Sequence, residues 1–104
     1  MYLTVDKYQK DTTEGGDSER REFSWTFLDG VKRGLIGFNT QLKMDGKAPY
    51  FCLPGTPALT RQQAEDIMLR WVKDYPEYRT APIDLTLLRG LVNTFPCEKT
   101  RPAS

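Results

Sequence analysis

Two stretches of helical periodicity each end at a proline, and the only two cysteines in the chain flank them. In the first, Ala64, Ile67, Met68, Trp71 and Val72 recur at i, i+3, i+4, i+7 and i+8, a core-facing helical stripe. Thr60 and Gln63 precede it at the spacing of a capping box, and Pro76 closes it by pushing the residue before it out of the α region. In the second, Ile83, Leu87, Leu88, Leu91, Val92 and Phe95 repeat the pattern, Asp84 sits in the first turn where the helix dipole favours negative charge, and Pro96 stops it. Cys52 stands before the first helix and Cys97 after the second. Helices over 61–74 and 83–95 that pack antiparallel would bring those two ends together. Neither cysteine belongs to a C-x-x-C pair, and a chain without histidine has too few ligands for a zinc site. A structural disulfide, two buried free thiols and a reactive cysteine remain as readings. The first would add roughly 2–4 kcal/mol and would imply an oxidising compartment.

The rest of the chain is also helical in pattern. Thr4 is a candidate N-cap for a short helix over 4–12 with Val5 and Tyr8 on one side, and "TTEGGDS" breaks it. From Glu19 to Met44, Phe23, Phe27, Val31, Leu35, Phe38 and Leu42 form a stripe compatible with a 3.6-residue period, widened by Trp25, Leu28 and Ile36. Gly30, Gly34 and Gly37 lie in or beside this stripe, which predicts a close approach of another backbone there, with a ligand contact as the alternative. "DGKAPYF" reads as a loop and "PEYRTAP" as a short connection of about one turn. No segment alternates with period two. The expected fold is all-α: a compact bundle of about four helices forming one domain over residues 1–104, with 1–3 and 98–104 as flexible ends.

Lys and Arg total 15 against 14 Asp and Glu, so the charge is near balance and scattered. That argues against a nucleic-acid or membrane-surface partner. No apolar run approaches the ~20 residues of a membrane span. The lack of histidine removes the commonest general base and the Ser–His and Cys–His nucleophile pairs. Carboxylate catalysis by Glu65 with Asp66, or by Asp29, would need burial to raise a pKa, and Glu65 and Asp66 read more simply as a solvated helix face. The expectation is a non-enzyme with no metal and no cofactor. "MYLTVDKYQK" lacks the basic and apolar regions of a signal peptide, so either the protein is cytosolic or a leader was trimmed ahead of Met1.

The order of motifs carries more. "YLTVDKY", "FLDGVKRGLIGFNTQL", "FCLP" before "ALTRQQAEDIMLRWVKDYPEYR", and the closing "LLRGLVNTFPC" together resemble the Rap/Tai family of immunity proteins. The resemblance implies a small, all-helical periplasmic protein, often dimeric. Its characterised members bind and block peptidoglycan amidases delivered by type VI secretion. It also maps the family's disulfide onto Cys52 and Cys97; the missing leader is a departure from the family, and a start trimmed at Met1 would reconcile it with the oxidising compartment a disulfide implies. The chain departs from the family in lacking the cysteine that members often carry in the first long helix.

On this reading the protein works by occlusion, presenting a loop to the amidase cleft. The candidate partner-binding residues are Lys47 and Tyr50 (with Phe51) in one loop and Asp74, Glu77, Tyr78 and Arg79 (with Tyr75) in another. Tyr and Arg are enriched among interface hot spots. Homodimerisation through Trp25, Leu28 and Ile36 is a further expectation. The alternative is a periplasmic helical adaptor or orphan interaction module with a different protein partner.

Overall fold

The computed structural model describes residues 3–13, 17–54 and 59–97. Four α-helices follow in order: α1 (Val5–Thr13), α2 (Ser18–Met44), α3 (Arg61–Asp74) and α4 (Ile83–Thr94), with a 3₁₀ turn over Pro76–Thr80. Among the described residues the only extended pairing is an isolated bridge between Thr4 and Pro82. The expected flexible ends, and Gly55 and Pro57 of the turn before α3, lie outside the described residues, with one exception. Leu3 is buried, and its carbonyl accepts from Ile83 N at 2.8 Å, which corrects the expectation for that residue.

The helix starts follow from local chemistry. Thr4 Oγ1 accepts from Lys7 N at α1, and Asp17 caps α2 through Glu19 N. At α3 both halves of the Thr60–Gln63 capping box form. Helix α2 ends in a Schellman motif: Gly46, at φ +75°, donates to Lys43 O, and Lys47 donates to Leu42 O.

Helices α3 and α4 pack antiparallel, and their closest approach lies at Gly90. A Cβ there would stand 2.8 Å from Ile67 Cγ2 and 3.0 Å from Ile67 O. The α3 stripe is buried as its spacing predicts, from Ala64 to Val72, with Ile83, Leu87 and Leu91 facing it from α4. Val5 and Tyr8 of α1 and Leu28 of α2 complete the core. The Cys52–Cys97 disulfide is formed (S–S 2.01 Å). Cys52 N also donates to Phe95 O at 2.8 Å, tying the loop before α3 to the end of α4.

Helix α2 does not sit as its apolar pattern predicts. Its buried residues are Ser24, Leu28, Lys32 and Asn39, while Phe23 and Phe38 are exposed and Phe27, Val31, Leu35 and Leu42 only half-buried. Length is the reason. Twenty-seven residues span about 40 Å, whereas α3 and α4 span about 20 Å each. The molecule is correspondingly drawn out, 48 × 26 × 24 Å. The shorter helices cover only one narrow line of α2. Two polar residues on that line reach loop backbone: Lys32 Nζ donates to Leu59 O at 2.7 Å, and Asn39 bonds the 50–51 segment. The expected backbone approach at Gly30, Gly34 and Gly37 is also overturned, since nothing lies within 4 Å of a Cβ built at any of them. Leu28, assigned to a partner helix, is fully buried, and Trp25 and Ile36 pack against the core.

Candidate protein-binding surface

The two candidate loops occupy opposite ends of the α3–α4 hairpin. One follows α2 and joins the disulfide beside the end of α4; the other links the end of α3 to the start of α4. Lys47 and Tyr50 are therefore a helix length, about 20 Å, from the 74–79 group. The structure does not unite them into one site.

Tyrosine and proline chemistry shapes the 74–80 loop. Pro76 ends α3 and begins a 3₁₀ turn, in which Tyr78 N donates to Tyr75 O and Ala81 N donates to Tyr78 O, both at 3.0 Å. Beneath the turn lies Trp71. Its ring centroid is 4.2 Å from that of Tyr75 and 5.6 Å from that of Tyr78, the latter edge-on. On the far side, Val5 N donates to Ala81 O at 3.1 Å, so α1 holds the loop's exit. Both ends of a short loop are thus attached to the core, which reduces the entropy it would lose on binding. Asp74, Glu77 and Arg79 are exposed and Tyr75 is 44% exposed. Tyr78 is half-buried, so part of its side chain serves as footing for the loop.

The 45–52 loop is held differently. Asn39 Nδ2 donates to Phe51 O at 2.7 Å, while Asn39 Oδ1 accepts from Tyr50 N at 2.7 Å and Phe51 N at 3.3 Å. One amide side chain replaces a stretch of sheet-like pairing. Phe51 is buried and closes the edge of the core, the role an aromatic flanking a helix commonly takes, and is no contact residue. Lys47 and Tyr50 remain exposed, and Tyr50 stacks on Phe38 with centroids 6.4 Å apart.

The carboxylates weighed for catalysis are engaged in structure. Glu65 accepts the Tyr8 hydroxyl hydrogen bond and that of Arg61 Nη1 at 2.9 Å, so it is no solvated face residue but the joint between α1 and α3. Burial, followed by the Glu65 carboxylate, holds the Tyr8 hydroxyl well above the usual phenol range. Arg61 also lies 4.6 Å over the Trp25 ring. Asp29 bonds Lys32 at 2.7 Å and Arg33 at 3.1 Å, and the Lys32 hydrogen bond leads in holding its carboxyl below the ordinary value. An acid held ionised in this way is a poor proton donor near neutral pH. Among the described residues no group of three or more potential metal ligands occurs, and no helix is long and apolar enough to cross a membrane.

Residues 4–97 match the family model of Rap1a immunity proteins. The chain belongs to this family. Rap1a immunity proteins are inhibitors rather than enzymes, and a family member's task is to bind a partner effector protein. No curated protein and no solved structure matches the chain. For a Rap1a-family protein the surface that matters is thus one that fits another protein. Sequence reasoning found the exposed loop residues but placed Trp71 only in the core and passed over Arg89. The Arg89 guanidinium lies 5.4 Å over the Trp71 ring, a contact that depends on how α3 and α4 pair.

Proposed function

We propose that this protein resides in the periplasm as one domain and binds a peptidoglycan amidase delivered by type VI secretion, blocking its cleft by occlusion. The observation that carries the reading is the 74–80 loop: a short 3₁₀ turn seated on a buried tryptophan, with Asp74, Tyr75, Glu77 and Arg79 facing solvent. A stiff, protruding, polar-aromatic turn suits entry into a substrate cleft without chemistry of its own. The Cys52–Cys97 disulfide supports residence in an oxidising compartment. Lys47 and Tyr50 form a second, separate contact region at the other end of the hairpin.

The test is co-purification with a peptidoglycan amidase of the type VI secretion class, and loss of that enzyme's peptidoglycan cleavage on mixing. Glu77→Ala with Arg79→Ala should weaken the complex tenfold or more while moving the thermal midpoint by less than about 2 °C, since both side chains are exposed. Undiminished binding by that double variant would remove the loop from the interface. Binding to a protein with no action on peptidoglycan, in place of the amidase, would favour the adaptor reading.

The overhanging face of α2 supports self-association within the same function. Phe23, Phe27, Gly30, Val31, Gly34 and Phe38 run along one flank of the helix. A two-fold axis crossing α2 between Gly30 and Val31 would set Phe23 against Phe38 of a second copy, and Phe27 against Gly34. Phe27 would then face a small residue and Val31 would face Gly30, while Phe23 and Phe38 would pair ring to ring, a self-complementary arrangement of the kind a symmetric pair requires. Phe23, Phe38 and Tyr50 are each slightly over half exposed, giving roughly 300 Å² per copy. That is below the ~800 Å² per partner of a standard interface, so a dimer through this flank alone is weak. Sedimentation across a concentration series should show reversible dimerisation in the micromolar range or above, abolished by Phe23→Ser with Phe38→Ser. A 12 kDa species at all concentrations would exclude it.

A further inference from the structure

We infer that the effector-binding surface extends from the 74–80 loop across Trp71 onto α4, where Arg89 receives a carboxylate of the partner protein. The inference rests on the effector-binding reading above and adds to it a residue, a helix and a ligand chemistry. Its basis is the way Arg89 is held. The guanidinium lies over the Trp71 indole at 5.4 Å, and the same indole carries Tyr75 and Tyr78, so the four side chains form one contiguous cluster. Leu85, one turn before Arg89 on the same face of α4, is 47% exposed and borders it.

Charge pairing separates Arg89 from five of the cations in the helices. Lys7, Arg20, Lys32, Arg33 and Arg61 each pair with an acid three or four residues away on their own helix or its cap. Among the described residues Arg89 has no such acid, and its contact is the aromatic ring. The ring contact holds the guanidinium in place while leaving its N–H donors unspent, and its planar fork matches a carboxylate in bidentate geometry. A guanidinium oriented before binding loses less entropy per hydrogen bond formed. The surroundings are those of a hot spot: a buried indole beneath, a half-exposed tyrosine and leucine around the rim, and Arg at the centre. Arg21 also forms no ion pair among the described residues and lies 5.6 Å over Trp25, but that half-buried ring is shared with Arg61 and carries no tyrosine, and Arg70 has neither an acid nor a ring.

The experiment compares Arg89→Met, Arg89→Glu and the Glu77→Ala, Arg79→Ala double variant for binding to the type VI peptidoglycan amidase that the wild-type protein blocks. Thermal midpoints and salt dependence are measured alongside. Methionine keeps an alkyl stem against Trp71 and removes only the charged fork, so the fold is preserved. The expected result is a tenfold or greater loss of affinity for Arg89→Met, a larger loss for Arg89→Glu, an unchanged thermal midpoint, and a shallower salt dependence for Arg89→Met. Wild-type affinity in Arg89→Met, with binding lost in the loop double variant, would overturn this inference and leave the loop reading intact. If all Arg89 variants and the loop variant bind as wild type, both fall. A loss of affinity with unaltered salt dependence would show that Arg89 acts by packing, and would overturn the carboxylate assignment.

Discussion

Replacing the same residue type at two places on the helices should give opposite results, because only one site is closed. At Gly90 an alanine methyl would meet Ile67 Cγ2 at 2.8 Å and the Ile67 carbonyl oxygen at 3.0 Å. The first neighbour belongs to a β-branched side chain with little rotamer freedom, and the second is backbone of α3. Neither yields without moving one helix from the other. Overpacking costs about 1–3 kcal/mol, and two unyielding contacts put this site in the upper half of that range, against which the better helix propensity of alanine returns about 1 kcal/mol. The net expectation for Gly90→Ala is a loss of about 1–2 kcal/mol. At Gly34 nothing lies within 4 Å of the added methyl, so only the propensity gain of about 1 kcal/mol remains. For a domain near this size 1 kcal/mol corresponds to about 4–8 °C in thermal midpoint. Gly90→Ala should therefore melt about 4–16 °C below wild type and Gly34→Ala about 4–8 °C above it. Thermal unfolding followed by circular dichroism, at protein concentrations low enough to keep α2 flanks apart, measures both. A Gly90→Ala protein as stable as Gly34→Ala would refute the close α3–α4 crossing and the register built on it.

Three further expectations follow from the buried polar and covalent links. The Cys52–Cys97 bond spans 45 residues, for which loop closure gives about 4 kcal/mol as an upper value, so Cys52→Ser with Cys97→Ser should lower unfolding free energy by roughly 2–4 kcal/mol in urea titration. Asn39→Ala leaves the Tyr50 and Phe51 backbone groups without their amide partner; a loss of about 2–3 kcal/mol and faster hydrogen exchange at Tyr50 and Phe51 should result, with the α3 amides little affected. Tyr8 titrates above the ordinary phenol value in the folded chain, so between that value and its folded pKa the native state holds a proton the unfolded state has released. Its stabilisation is present in full below about pH 10 and falls as pH rises beyond, by up to ~1.4 kcal/mol per pH unit. Tyr8→Phe should flatten that alkaline limb in equilibrium unfolding from pH 9 to 11, and an unchanged limb would place the titration elsewhere.

The sequence by itself determined the elements and their ends. Thr60 with Gln63 starts α3, Pro76 and Pro96 stop α3 and α4, and the α3 stripe is buried as its spacing requires, because capping and periodicity act within a few residues. Ordered motifs along the whole chain also sufficed to point to the family and to its cysteine pairing. Which face of α2 is inside was decided only by the tertiary structure. Phe23 and Phe38 look like core and are exposed, while Lys32 and Asn39 look like surface and are buried, since helices half its length cover one line of α2 and leave loop carbonyls needing donors. The same holds for Arg89 on Trp71 and Tyr8 on Glu65, whose partners lie 18 and 57 residues away and meet only through helix packing. Local patterns encode what a segment becomes; which of its side chains meet a partner depends on lengths and crossings that no single segment contains.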